Sequence, residues 1–162
     1  MLQIAEIYKS IQGEGEFTGT PSVFVRTTGC NLRCWFCDTP FTSWEPEGEQ
    51  QSIDHVLSQV AELEVEHVVV TGGEPLLLPD IVPLTAELRS RGHFVTLETA
   101  GTVFRAATTD LMSISPKLAN STPGVDRSPA WSKRHEELRH RPVVIRSLIG
   151  EPRYQLKFVI DV

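Results

Sequence analysis

Three cysteines within eight residues, Cys30, Cys34 and Cys37, are all the cysteines this chain has. Their C-x3-C-x2-C spacing lets three thiolates converge on one centre without help from distant chain. An odd number cannot be used up in paired disulfides. Three thiolates are one ligand short of a closed tetrahedral zinc site, and one short of a fully ligated four-iron cluster, so a metal position stays open. An open position suits a small molecule that must bind the metal directly, which is the logic of a catalytic site. The spacing favours an iron-sulfur cluster. Two other readings stay open on these residues alone. A structural zinc site could be completed by a remote His55, His67 or His93, although no second ligand pair follows. A redox pair at Cys34 and Cys37 would leave Cys30 idle.

Any fold has to deliver that loop, and the segment before it, Ser22-Val-Phe-Val-Arg-Thr27, reads as a strand that runs straight into it. Arg26 near its end can offer a guanidinium fork to a carboxylate, or make a surface salt bridge. Upstream, Leu2 to Tyr8 alternates in part, as a first strand would. The following Gln12-Gly13-Glu14-Gly15 loop either turns the chain or brings backbone close to a ligand. The cysteine loop is expected to run to about Gly48. Ser52 is placed as the N-cap of a helix with Ile53, Val56, Leu57, Val60 and Leu63 on one face. His67 to Thr71 is a continuous apolar run of the kind buried in parallel sheets, ending in Gly72-Gly73-Glu74-Pro75.

Asp80 is expected to cap the next helix, which stops at Gly92. Phe94 to Leu97 is a strand leading into Glu98, and Leu111 to Ile114 is a strand ending in Ser115-Pro116-Lys117. After a loop from Ala119 to Asp126, Ser128-Pro129 starts a helix that Pro142 breaks or kinks. Tyr154 to Val162 is the last predicted strand. Strand and helix alternate, which predicts an α/β fold with a parallel sheet, outer helices and right-handed crossovers. Every candidate loop then lies at the carboxyl end of a strand, the edge where such sheets bind ligands.

The chain has 162 residues, 40% of them hydrophobic and 22% charged, as expected for one soluble domain. No apolar run approaches the roughly 18 residues of a membrane span, and no basic-then-apolar signal opens the chain, so a cytoplasmic protein with no membrane partner is expected. A net charge of -6 and the lack of a basic block argue against nucleic acid as a partner. The mildly basic segment Lys133 to Arg146 reads as a solvated helix face.

With Phe36 as its aromatic, the cysteine pattern C-x3-C-x-aromatic-C resembles the signature of radical S-adenosylmethionine (SAM) enzymes. Taken together, Ser10-Ile-Gln-Gly-Glu-Gly15, Gly19-Thr-Pro-Ser-Val-Phe-Val-Arg26, Gly29-Cys-Asn-Leu-Arg-Cys-Trp-Phe-Cys-Asp-Thr39, Thr71-Gly-Gly-Glu-Pro75, Glu98-Thr-Ala-Gly101, Ser115-Pro-Lys117 and Leu156-Lys-Phe-Val159 resemble, in order, the motifs of the 7-carboxy-7-deazaguanine synthases. The resemblance covers almost the whole chain. It implies a lyase of queuosine biosynthesis that converts 6-carboxy-5,6,7,8-tetrahydropterin into 7-carboxy-7-deazaguanine with loss of ammonia, after a 5'-deoxyadenosyl radical takes hydrogen from C6.

By the same resemblance Cys30, Cys34 and Cys37 hold a 4Fe-4S cluster whose open iron binds SAM. Phe36, Cys37 and Asp38 lie by the adenine; Gly73, Glu74, Glu98, Ser115, Pro116 and Lys117 make further SAM contacts. Ile11, Gln12, Gly13, Arg26 and Thr71 contact the pterin, with Arg26 on its carboxylate, and Thr39 helps hold Mg2+. The implied fold is a partial, modified (β/α) barrel of radical SAM type. The implied partners are an electron donor such as flavodoxin and a second copy in a homodimer. Family chains usually continue some tens of residues past the position of Val162, so the single domain 1–162 is expected to have the last part of the barrel shortened or missing. A glycyl-radical activase, which shares the three cysteines, and an inactive metal-binding fragment are the competing readings.

Overall fold

Val68, Val69 and Val70 have no exposed surface. Three consecutive buried apolar side chains in an extended segment need cover on both faces, and the strand that holds them is the middle one of seven. The structure, a computed structural model, describes residues 1–150 and 153–160. Its strands are β1 (Leu2–Ile11), β2 (Pro21–Thr27), β3 (Glu49–Gln51), β4 (His67–Gly72), β5 (Phe94–Thr99), β6 (Leu111–Ile114) and β7 (Tyr154–Leu156). Its helices are α1 (Ile53–Glu62), α2 (Ile81–Ser90), α3 (Pro129–Arg139) and α4 (Pro142–Ile149). Across the sheet the strands run β3-β1-β2-β4-β5-β6-β7. The sheet stays open at β3 and β7, as a partial barrel does.

From β2 to β7 all neighbours are parallel, as expected. The other side differs from the sequence expectation, because β1 pairs antiparallel with both β2 and β3. β3 was not foreseen; three polar residues on a sheet edge carry no alternation to read. A second departure lies between β5 and β6, where residues 100–110 cross over without a helix. β5 also extends through Thr99, so Glu98 is a strand residue rather than a loop residue. Of the last predicted strand, Tyr154–Leu156 pairs with β6, while residues 161–162 lie outside the described residues.

Capping follows the sequence at two helices. Ser52 Oγ accepts from His55 N at 3.2 Å at the start of α1. Ser128 Oγ accepts from Trp131 N at 3.4 Å at the start of α3, with Pro129 in the first turn. Pro142 breaks the helical run as expected and then opens α4. Asp80 is a correction: its side chain caps nothing, and its carboxylate instead pairs with the N-terminal ammonium of Met1.

Alternation along the strands divides the sheet into two unlike faces. On one, Val23, Val25, Val68, Val70, Val95, Leu97, Met112 and Ile114 pack with Val56, Leu57 and Val60 of α1, Ile81, Leu84 and Leu88 of α2, and Leu148 of α4. Each such fully buried side chain contributes about 1.5–3 kcal/mol before entropy is counted. The other face is polar where it matters. Arg26 pairs in register with Thr71, Glu98 with Ser113, and Ser113 with Gln155, so one polar row crosses five strands near their carboxyl ends. Among the described residues no helix is long and apolar enough to cross a membrane.

Candidate active site

The cysteine loop has no strand or α-helix and only one short 3-10 turn, Pro40–Thr42, so its shape is held by individual bonds, some within the loop and some from outside it. Gly29 N–H donates to the Thr42 carbonyl at 2.9 Å, and the Gly29 carbonyl accepts from Glu74 N at 2.9 Å. Trp44 Nε1 donates to the Cys34 carbonyl at 2.9 Å, and Trp35 Nε1 to the Asn120 carbonyl at 2.6 Å. The Arg33 guanidinium turns back onto the carbonyls of Cys30 and Leu32, both at 2.7 Å. Held this way, Cys30, Cys34 and Cys37 all face one cavity of about 450 Å³.

Burial pushes the Cys30 thiol up to about 12 and the Cys34 thiol up to about 11. Both are therefore neutral at pH 7, and metal loading must expel their protons. The donor set fits a four-iron cluster: three thiols from one loop around one cavity, with room beside them for a further ligand. It does not suit zinc completed by a histidine. Both ring nitrogens of His67 are engaged, with Ser22 Oγ at 2.9 Å and Thr96 Oγ1 at 2.8 Å, at the opposite edge of the sheet. His93 Nδ1 faces the Glu66 carbonyl, and His55 is exposed in the first turn of α1. Among the described residues no three His, Cys, Asp or Glu side chains close on a single ion.

Arg26, Phe36, Asp38, Thr39, Thr71, Gly73, Glu98, Ser115 and Lys117 line the same cavity as the cysteines. Thus four separate strand ends do converge. Ile11, Gln12, Gly13, Glu74 and Pro116 are not among its lining residues. Gln12 is buried just behind it, with Nε2 3.4 Å from Glu98 Oε1. Glu74 is fully buried within the wall, where its carboxylate accepts from Leu76 N, Thr99 Oγ1 and Ala100 N at 2.8–3.1 Å. Burial pushes this carboxyl up, against the pull of those donors. Its visible work is to tie the loop after β4 to the loop after β5. Pro116 is buried between Ser115 and Lys117, whose Nζ donates to Ser115 Oγ at 2.8 Å.

The glycines of Gly72-Gly73 are required by chain-on-chain contact. A Cβ on Gly72, whose φ is +139°, would stand 2.1 Å from the Thr27 carbonyl oxygen; one on Gly73 would stand 2.3 Å from that of Gly29. That close approach is how β4 presses the start of the cysteine loop into place.

At the other end of the cavity the charges are paired. Arg26 Nε bonds Glu6 Oε1 at 2.7 Å, and its Nη2 donates to Tyr8 OH at 2.6 Å. Both partners come from β1, so the guanidinium is held in place by the neighbouring strand. Thr71 Oγ1 donates to Glu98 Oε2 at 2.9 Å. Lys157 Nζ bridges Glu98 Oε1 at 3.0 Å and Glu14 Oε2 at 2.7 Å, and its ammonium holds the Glu14 carboxyl below its ordinary range. Neither Lys157 nor Glu14 was singled out as a site residue from the sequence. The only signal was their place in the motifs around 10–15 and 156–159, since pairing across 143 positions is invisible locally.

Comparison with known proteins agrees with this geometry. Residues 24–122, well over half the chain, match the radical SAM superfamily. The chain is 54% identical to the 7-carboxy-7-deazaguanine synthase of Rhodopirellula baltica, covering 99% of this chain and 63% of that protein. It is 49% identical to that of Halobacterium salinarum, covering 98% of this chain and 64% of that protein. The chain thus spans less than two thirds of the length of these two relatives. In fold it is similar to the crystal structure of QueE from Escherichia coli, with a TM-score of 0.63 and 23% identity over 96% of this chain and 93% of that one. The matched stretch holds the thiol loop, Gly72-Gly73-Glu74, Glu98 and Ser115 to Lys117, and on that ground the chain belongs to the radical SAM superfamily.

Proposed function

We propose that this chain carries the activity for which its relatives are named, making 7-carboxy-7-deazaguanine from 6-carboxy-5,6,7,8-tetrahydropterin with release of ammonia. The observation that supports this most is the polar row Arg26-Thr71-Glu98 facing the same cavity as the three cysteines, of which Cys34 is buried and Cys30 and Cys37 are partly buried. When bound, the cluster and SAM together supply a carbon-centred radical able to take hydrogen from a substrate C–H bond. The chain's own residues bind and orient. Cys30, Cys34 and Cys37 would hold the cluster. Gly73, Ser115 and Lys117 would border SAM, with Phe36 and the backbone to Asp38 at its adenine.

Arg26, braced by Glu6 and Tyr8, would take the pterin carboxylate in its fork and so fix the adjacent C6–H toward the cysteines. Thr71 and Glu98, locked to each other, and the buried Gln12 behind them would give the ring a polar wall. Thr39, whose Oγ1 lies 3.3 Å from Asp38 Oδ1, would share Mg2+ with a substrate oxygen. An electron donor such as flavodoxin, a homodimer and a cytoplasmic setting belong to the same reading.

The test is anaerobic reconstitution with iron and sulfide, then incubation with SAM, Mg2+, reductant and the pterin, followed by product mass. Cleavage of SAM with the pterin left intact would sink the substrate assignment while leaving the superfamily chemistry standing. Arg26→Ala should weaken pterin binding by about tenfold to a hundredfold, the worth of a charge-assisted hydrogen bond. SAM binding, measured by calorimetry on the same samples, should stay as in the parent chain. Equal loss of both ligands would count against Arg26 as the carboxylate anchor.

A further inference from the structure

Helix α3 was expected to be a solvated face, yet one of its stripes is turned inward. Trp131, His135 and Arg139 follow each other at intervals of four residues and so share a side. The Arg33 guanidinium lies over the Trp131 ring, 4.1 Å from its centroid. Arg139 Nη1 donates to the Lys117 carbonyl at 3.3 Å. Between them His135 has no exposed surface. Its Nδ1 is 3.1 Å from Arg33 N, and its Nε2 is 2.8 Å from Ser121 Oγ, which lies 2.6 Å from the Leu118 carbonyl.

Only one proton arrangement fits these contacts. A backbone N–H can only donate, so Nδ1 is the acceptor and is unprotonated. The ring proton therefore sits on Nε2 and goes to Ser121 Oγ, whose own hydrogen goes to the Leu118 carbonyl. Burial, the main cause, holds His135 below the usual histidine range, which keeps Nδ1 free to accept. Both ring nitrogens are used and neither is free for catalysis or metal.

Resting on the radical SAM reading, we propose that His135 is the positioning residue of the cluster-binding loop: through the Arg33 N–H it fixes the backbone between Cys30 and Cys34, and through Ser121 it ties that backbone to the 118–121 turn. The loop has no ladder of its own between those two cysteines, so this bond, together with those of the Arg33 guanidinium and Trp44, holds the backbone that carries their sulfurs. Outer partners of metal ligands, when removed, cost about tenfold to a hundredfold in metal affinity.

Side-chain geometry separates this role from simple core packing. In His135→Asn, Oδ1 stands where Nδ1 stood and can still accept from Arg33. In His135→Gln, Nε2 stands where the imidazole Nε2 stood and can still donate to Ser121, but the bond to Arg33 is gone. His135→Leu loses both. The experiment loads all three variants and the parent chain with iron and sulfide anaerobically. It then follows iron loss to a chelator, the electron paramagnetic resonance spectrum of the reduced cluster with and without SAM, and thermal unfolding of the metal-free chains. Thr96→Val, which removes a partner of buried His67 at the far edge of the sheet, reports plain destabilisation.

Leu and Gln should lose iron about tenfold faster or more, and with an altered spectrum, while Asn stays near the parent. Thr96→Val should lower the unfolding temperature without changing iron loss. The proposal is overturned if Gln rescues and Asn does not, if all variants hold iron like the parent, or if iron loss follows unfolding temperature across the set including Thr96→Val. A parent chain that loads no four-iron cluster overturns the cluster-binding role of the three cysteines on which the proposal rests.

Discussion

Cys34→Ala is expected to give a folded chain that holds no intact four-iron cluster. Folding should survive because the bonds that shape the loop do not use this sulfur. The Cys34 carbonyl still accepts from Trp44 Nε1, Trp35 N still donates to the Ser121 carbonyl, and Gly29 still bonds Thr42. Removing one small buried group costs about 1 kcal/mol. Loading is another matter. A cluster with three protein ligands keeps one iron open for SAM, and with two it has lost a second anchor that no neighbour can replace. Among the described residues no other trio of His, Cys, Asp or Glu stands ready to bind metal. Iron and acid-labile sulfide per chain should fall to background, and SAM cleavage with them. Wild-type iron and sulfide in Cys34→Ala would mean that the third ligand lies elsewhere.

Much of this architecture could be read from local chemistry, because the controlling interactions are local. Ser52 and Ser128-Pro129 open helices through bonds to amides three residues away. The run Val68 to Val70 declares a doubly covered strand without reference to its neighbours. Non-local features were out of reach. Whether β1 runs with or against β2 is not written in either strand, and β3 has only the company of Leu2 to Ile4 to make it a strand. Asp80 has the residue type of a cap, but a distant N-terminal ammonium takes its carboxylate.

The site divides along the same line. Residue types named the thiol centre, because metal chemistry needs those atoms at that spacing. Partners could not be named. Glu74 reads as a ligand carboxylate in a glycine-rich loop, and only the arrival of Thr99 and Ala100 from the next strand end shows it bound within the wall. Arg26 left two readings, clamp or salt bridge; the structure shows the pairing with Glu6, and the paired guanidinium also lines the cavity. His135 sat among Lys133, Arg134, Glu136 and Glu137, a charge pattern that resembles any wet helix. Its neighbour four residues back, Trp131, was the one hint that this stripe faces inward.

Gly73→Ala should be among the most damaging single changes the chain can suffer outside the thiols, although it adds only one methyl group. The added carbon would stand 2.3 Å from the Gly29 carbonyl oxygen and 2.7 Å from that of Thr42. Both are backbone atoms, which cannot swing aside as a side chain would. Retreat of the Gly29 carbonyl would break its bond from Glu74 N at 2.9 Å, and retreat of Thr42 would break the bond from Gly29 N. Overpacking against groups that cannot yield should cost about 3 kcal/mol or more. Because Gly29 precedes Cys30, the same shift should carry the first sulfur out of place and cut iron uptake.

Gly13→Ala is the counterpart: a Cβ there meets nothing within 4 Å, and stability should change by no more than about 0.5 kcal/mol. Urea unfolding midpoints of the two metal-free variants, beside the parent, read the difference directly. Similar midpoints would mean that the end of β4 does not press on the cysteine loop as described, and the placement of the whole thiol centre would have to be redrawn.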